Sequence, residues 1–220
     1  MTLNLNMGKF KLVGGDVSLN FVNTAGGRLS NPQKKNGRDY ADAFYSDRLQ
    51  NYADLLAWSL KAGLLDEKEA KKLLRSGGEA PGAAEAVLKR AVNLREGVYR
   101  LFKCVIEGWQ PEADDLEALN KELMLARVHQ KIAVSESGFA FEWLGRADAL
   151  DSMLWQISEA AAAMLVNGDL SRVEKCSNEV CNWLFYDTSR NHRRQWCDMK
   201  DCGNLAKVRR FRAKRQAPRA

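Results

Sequence analysis

Four of the five cysteines of this 220-residue chain fall within a single stretch, in the pattern C-x4-C-x15-C-x4-C. Cys176 and Cys181 form one pair, Cys197 and Cys202 the other. Two close thiol pairs joined by a linker are what a tetrahedral structural zinc site requires. In a reducing compartment paired cysteines point to metal rather than to disulfides. An iron–sulfur cluster also takes four thiolates, but the cations around this stretch and the helical run after it favour zinc. His192 lies in the linker, where four cysteines already complete a ligand set. One structural Zn2+ per chain is expected.

The same region concentrates positive charge. From Ser171 onward there are 13 Lys and Arg against 5 Asp and Glu, giving +8, whereas the first 170 residues carry 21 against 23, giving −2. A Zn(Cys)4 centre carries a net charge of −2, so some of these cations must balance it, but not all of them. Arg190, Arg193 and Arg194 lie in the linker. Lys207, Arg209, Arg210, Arg212, Lys214 and Arg215 follow the last cysteine, and no acidic residue occurs after Asp201. A solvated charged face normally mixes signs; a stretch of one sign reads as a phosphate-binding surface. Duplex DNA is the expected partner, with Asn204 at the helix start placed to read a base. The alternative is an RNA-binding or protein-interaction module in which zinc staples a basic tail.

These side chains need a scaffold. Trp183 and Phe185 alternate with Leu184 and Tyr186, which predicts a β-hairpin returning through Gln195 and Trp196 around a polar turn at Asp187–His192. The run after Cys202 predicts a closing helix whose Leu205, Val208 and Phe211 rest on the metal core. Knuckle, hairpin and helix are the parts of a treble clef. Ahead of it, helices dominate. Asn51 caps one, Asp66 and Glu69 form a capping box for a second, and Pro81 and Pro111 open two more. The longest has Val87, Leu88, Ala91, Leu94, Val98, Leu101, Phe102 and Val105 as its inward stripe; Leu116, Leu119, Leu123 and Ala126 face inward on the next. KIAVSESGFAFEW predicts a β-hairpin, and a last helix runs from about Ala149 to Val166, stopped by Gly168. Val17, Leu19 and Phe21 alternate with polar residues after Gly14-Gly15, which predicts a strand paired with Phe10–Val13. Gly26–Asp39 is expected to be a loop. The fold class expected is α+β: a helix-rich domain with small β-hairpins over residues 1–170, followed by a treble-clef-like zinc finger over 171–220.

Residues 172–215 resemble the CGNR zinc finger. The four cysteines, the W-x-F-x-D-x-S run (Trp183, Phe185, Asp187, Ser189), the entry Arg194-x-Trp196-Cys197 and the tripeptide Cys202-Gly203-Asn204 carry the likeness. Leu205 stands where the family has the arginine of its name. The region ahead resembles the ABATE domain of stress-induced transcription regulators, on the stretch GDVSLNFVNT, Gly15–Thr24, with Asn20 where an Asp is usual. The resemblance implies a bacterial-type DNA-binding transcription regulator.

Enzyme classes find little support. The chain has no GxGxxG, P-loop, GxSxG or HExxH. His129 is the only histidine before the cysteine region, Cys104 sits in an apolar stretch, and Trp58, Trp143 and Trp155 read as core residues. Asn23 and Thr24, ending the predicted strand beside a loop carrying Arg28, are candidates to line a small-ligand pocket. The N-terminal domain would then serve as sensor or dimeriser, with an unidentified small-molecule effector or a second copy of the chain as its partner. The opening MTLNLNMGKFKL has no apolar h-region, and the longest apolar run, Ala160–Val166, is too short for a bilayer. A cytoplasmic protein without membrane attachment is expected.

Overall fold

A computed structural model of the chain describes residues 5–27 and 46–216, without the side chains of Lys214 and Gln216. The architecture is α+β. Helices α2 (Tyr52–Lys61), α3 (Glu67–Glu79), α4 (Pro81–Glu107), α5 (Ala113–Arg127) and α6 (Ser152–Asn167) form the body, preceded by a short α1 (Val17–Val22). The helix starts expected at Asn51, Asp66 and Pro81 are in place, whereas Pro111 lies just ahead of α5, which begins at Ala113. The Asn51 side chain accepts from the Asp54 amide, and Asp66 and Glu69 close a reciprocal capping box. Pro81 occupies the first turn of α4, where its missing N–H is not needed.

Helix α4 runs through the core and meets α1, α2, α3, α5 and α6. Val87, Ala91, Leu94, Val98, Leu101 and Phe102 of its predicted stripe are buried, while Val105 at its end and Leu116 on α5 remain partly exposed. Inside the helix Arg95 is fully buried. Its guanidinium is bidentate to Asp47, at 2.7 and 2.8 Å, and also donates to Glu96 and Thr24. A buried cation is tolerated only when its donors are matched in this way. Asp47 belongs to a two-residue ribbon, β1 (Ala25–Gly26) with β2 (Ser46–Asp47), so the pair pins that ribbon to α4.

The predicted strand at Val17–Phe21 is a helix instead. The Asp16 carboxylate accepts from the amide and hydroxyl of Ser18, at 2.7 and 2.5 Å, and so caps α1. Four of the six residues of α1 are buried, Ser18, Leu19, Phe21 and Val22, so apolar contact on more than one side mimics a period of two. Phe10–Val13 consequently has no strand to pair with. The predicted loop at Gly26–Asp39 lies, from residue 28 onward, outside the described residues.

Gln130–Ser135 (β3) and Gly138–Trp143 (β4) pair antiparallel as expected, and Trp143 lies against Trp155 of α6. The third ribbon, β5 (Val173–Lys175) with β6 (Leu184–Tyr186), departs from expectation. Strand β6 pairs with residues ahead of the first cysteine, not with Gln195–Trp196. The knuckle Cys176–Cys181 is therefore the turn region of this hairpin. The last element among the described residues is α7 (Asn204–Gln216), entered through a wide helical turn at Met199–Gly203.

Candidate metal centre and nucleic-acid interface

The four predicted thiols converge. Their sulfur atoms lie within 4.8 Å of one another, with Cys181 to Cys197 at 3.6 Å and Cys197 to Cys202 at 3.7 Å. Four sulfurs about 2.3 Å from one tetrahedral ion stand about 3.8 Å apart, so the spacing fits zinc. Local sequence explains the convergence. The Cys176 amide donates to the Trp183 carbonyl and the Cys181 amide to that of Asn178. Asn182 takes a left-handed conformation (φ 55°) to turn the chain into β6, a conformation that asparagine tolerates better than most residues. Cys202 sits in the turn that opens α7, as expected, with the Asn178 amide donating to its sulfur at 3.4 Å.

Hydrogen bonds from Cys181 and Cys197 hold the Cys176 thiol far below its ordinary value, while sharing protons with that sulfur pushes Cys181 and Cys197 upward. Four thiolates this close repel unless a cation stands among them. The cluster is a site for one structural zinc ion, and the small apolar core around it consists of Trp183, Phe185 and the cysteines, with Trp196 at its margin.

Strand β6 is buried on both faces. Trp183 and Phe185 point to the metal core, whereas Leu184 belongs to the main core of the body together with Val173. The stretch Gly15–Thr24 is what receives it. Asn23 donates to the Leu184 carbonyl at 2.7 Å and accepts from the Leu184 amide at 2.9 Å. The Trp183 indole donates to the Ala25 carbonyl, and the Tyr186 amide donates to that of Gly14. A Cβ on Gly14 would stand 2.9 Å from the backbone of Leu19 and Asn20, so α1 folds back only over a glycine. The ligand pocket expected at Asn23 and Thr24 meets a different arrangement. Both are buried, Asn23 is occupied by β6, Thr24 bonds to Phe21 and Arg95, and Arg28 lies outside the described residues.

A CGNR zinc finger model matches residues 172–215. A model of the ABATE family, described as "Putative stress-induced transcription regulator", matches residues 15–168. The chain belongs to the ABATE family. No curated protein matches it. Among the described residues, no helix of this ABATE protein is long and apolar enough to cross a membrane.

The predicted cationic residues separate into two groups. Arg194 is committed to the finger itself: it donates to the carbonyls of Val13, Tyr186, Trp196 and Cys197 and stacks on Phe185 at 4.3 Å. Its expected place on the phosphate surface is corrected accordingly, since a guanidinium surrounded by carbonyls is a cross-link. Its partner in this arrangement is Asp187, which the sequence places in the polar turn and in the W-x-F-x-D-x-S run without giving it a role; it turns the finger tip by accepting from the Ser189 and Arg194 amides. Burial pushes its carboxyl upward, but those hydrogen bonds outweigh it and leave the group below its ordinary value. Sequence reasoning missed Asn178, which joins Cys202 to Arg209.

Arg190, Arg193, Lys207, Arg210 and Arg212 are exposed and form no ion pair among the described residues. Arg215 lies over the Phe211 ring at 5.7 Å. Asn204 donates to the Lys200 carbonyl and stays exposed at the start of α7. The predicted packing of Leu205, Val208 and Phe211 on the metal core is not observed; they are 51%, 46% and 61% exposed. Trp183, just ahead of β6, and Phe185 within it already fill the space beside the cysteines, so α7 projects from the finger and offers its sides to solvent.

Proposed function

We propose that this chain is a transcription regulator that binds duplex DNA through its finger, with α7 and the tip residues Arg190 and Arg193 meeting phosphates. The observation that supports this most is a projecting helix with Lys207, Arg210 and Arg212 exposed, unpaired among the described residues and joined by no acidic neighbour. Zinc has a structural part only: with four protein thiolates around it, no position is open for a substrate. The cysteines hold the knuckle and the start of α7 at a set angle, and Arg194 locks the tip to the same frame. Asn204 and the α7 residues next to it stand where a base edge would be read.

Fluorescence anisotropy at several salt concentrations tests this reading. With about five phosphate contacts per chain, log K falls against log[salt] with a slope of about −4 to −5. An Arg210→Ala/Arg212→Ala variant that keeps its zinc weakens binding to every sequence and lowers that slope by about 2. Salt-independent affinity, or full binding by that variant, removes α7 from the mechanism. A second reading rests on Phe211, whose 61% exposure suits stacking on an unpaired base. Single-stranded RNA bound more tightly than duplex DNA, with Phe211→Ala losing that preference, would favour it.

A further inference from the structure

The register of β3 and β4 places Ile132 opposite Phe141 and Val134 opposite Phe139. Strand alternation puts all four on one face, together with Trp143 at the base. At that base the face is covered, because Trp143 lies 5.9 Å from Trp155, which is stacked on His129. Farther out no described residue covers it. Ile132, Val134, Phe139 and Phe141 are 68%, 82%, 81% and 67% exposed. The opposite face is made of small and charged residues, Ala133 with Ala140 and the ion pair Lys131–Glu142 at 3.1 Å. The hairpin is thus amphipathic in the wrong sense for a monomer, with its large apolar side in water.

We infer that this face joins a second copy of the same chain, apolar face to apolar face about a twofold axis. The exposed area of the two aromatic and two aliphatic side chains is about 600 Å2 per copy, at the upper edge of what a monomer leaves exposed. Two copies that covered these side chains completely would remove at most roughly 1,200 Å2 from water, the lower bound for a specific, stable interface. Self-association also supplies what the hairpin lacks. An isolated two-stranded ribbon is marginal in water, and face-to-face packing of two ribbons gives four strands a shared core. Charge is compatible with it: the docking face carries no charge, and the first 170 residues of each copy carry only −2, so two bodies approach with little repulsion. A membrane surface fits poorly, since Glu136 at the hairpin tip would meet anionic headgroups.

Sedimentation equilibrium on the full-length, zinc-loaded protein tests the assignment without DNA. The wild type is expected to sediment at about twice its 24.7 kDa chain mass, with a Kd near or below the micromolar range. A Val134→Lys/Phe139→Lys variant is expected to associate at least about 100-fold more weakly. Because both positions are already solvent-facing within one chain, its zinc content and circular dichroism should not change. If the lysines disturb the hairpin, Val134→Thr/Phe139→Thr keeps strand propensity and should also give monomer. A wild type that is monomeric at tens of micromolar, or a variant that dimerises as tightly as the wild type, overturns the inference. So does a monomer that binds anionic phosphatidylserine vesicles through this face.

Discussion

The hairpins β3–β4 and β5–β6 are written in the same code, large apolar residues alternating along short antiparallel strands, yet they meet opposite surroundings. Along β6 and the residue before it the large apolar side chains are covered, Leu184 by the body and Trp183 and Phe185 by the metal core, with Tyr186 partly buried against the body. In β3–β4 four large residues stand in solvent. The difference shows that alternation specifies which residues share a face and leaves open what that face packs against. For β6 the answer comes from the same chain, 161 residues away, through Asn23. For β3–β4 it comes, on our inference, from another chain. One hairpin is a joint within the molecule, the other a joint between molecules.

The sharpest way to break the comparison is to remove zinc. Structural zinc contributes on the order of 10 kcal/mol to the folding of small fingers, and here β6 is also a wall of the body. Cys202→Ser, or chelation, is expected to abolish zinc binding, disorder the finger and lower the melting temperature of the helical body as well. Elemental analysis and circular dichroism report the two parts separately. A body whose melting is unmoved by loss of zinc would show that β6 is not a shared element. The hairpin β3–β4 should be indifferent to zinc, so self-association should survive in protein that remains folded.

A smaller effect tests the joint at one side chain. Leu184→Ala removes a fully buried leucine from the main core, at a cost of about 2–5 kcal/mol. For a chain of this length that corresponds to a fall of roughly 5–15 °C in melting temperature. Zinc should stay bound, since Leu184 faces away from the cysteines. A loss under about 0.5 kcal/mol, the scale of surface substitutions, would place Leu184 among exposed residues like Val134.

Much of this was legible in the residues. The zinc ligands followed from spacing because coordination chemistry demands close pairs whatever the fold. The helix starts at Tyr52, Glu67 and Pro81 followed from caps, which act within one turn. What failed involved longer range. Val17–Phe21 gives three alternating residues whether strand or buried helix, and only the cap at Asp16 with burial on several sides decides. Strand β6 chose Val173–Lys175 over Gln195–Trp196, a choice between two partners similarly near in sequence. Leu205, Val208 and Phe211 trace a helical stripe correctly, but Trp183 and Phe185 had already taken the space it would fill. Arg194 could not be told from Arg193 by type; only the carbonyls around it separate cross-link from free cation.

Asn23 gives the most specific test of the joint. Its amide donates to one backbone group of Leu184 and accepts from another, a reciprocal pair that few side chains can offer at this length. Asn23→Ala leaves a buried carbonyl and a buried amide unmatched, at about 1–3 kcal/mol. Asn23→Asp should cost more, because it sets a carboxylate against the Leu184 carbonyl while still accepting from the amide. Aspartate as the worse of the two, measured by chemical denaturation, identifies Asn23 as a bracket between body and finger. Were Asn23 instead a pocket residue, as its position beside a loop first suggests, both variants would leave stability almost unchanged and alter only a ligand-induced rise in melting temperature. Equal stability of wild type, alanine and aspartate forms would therefore return Asn23 to the ligand-binding reading and detach β6 from α1.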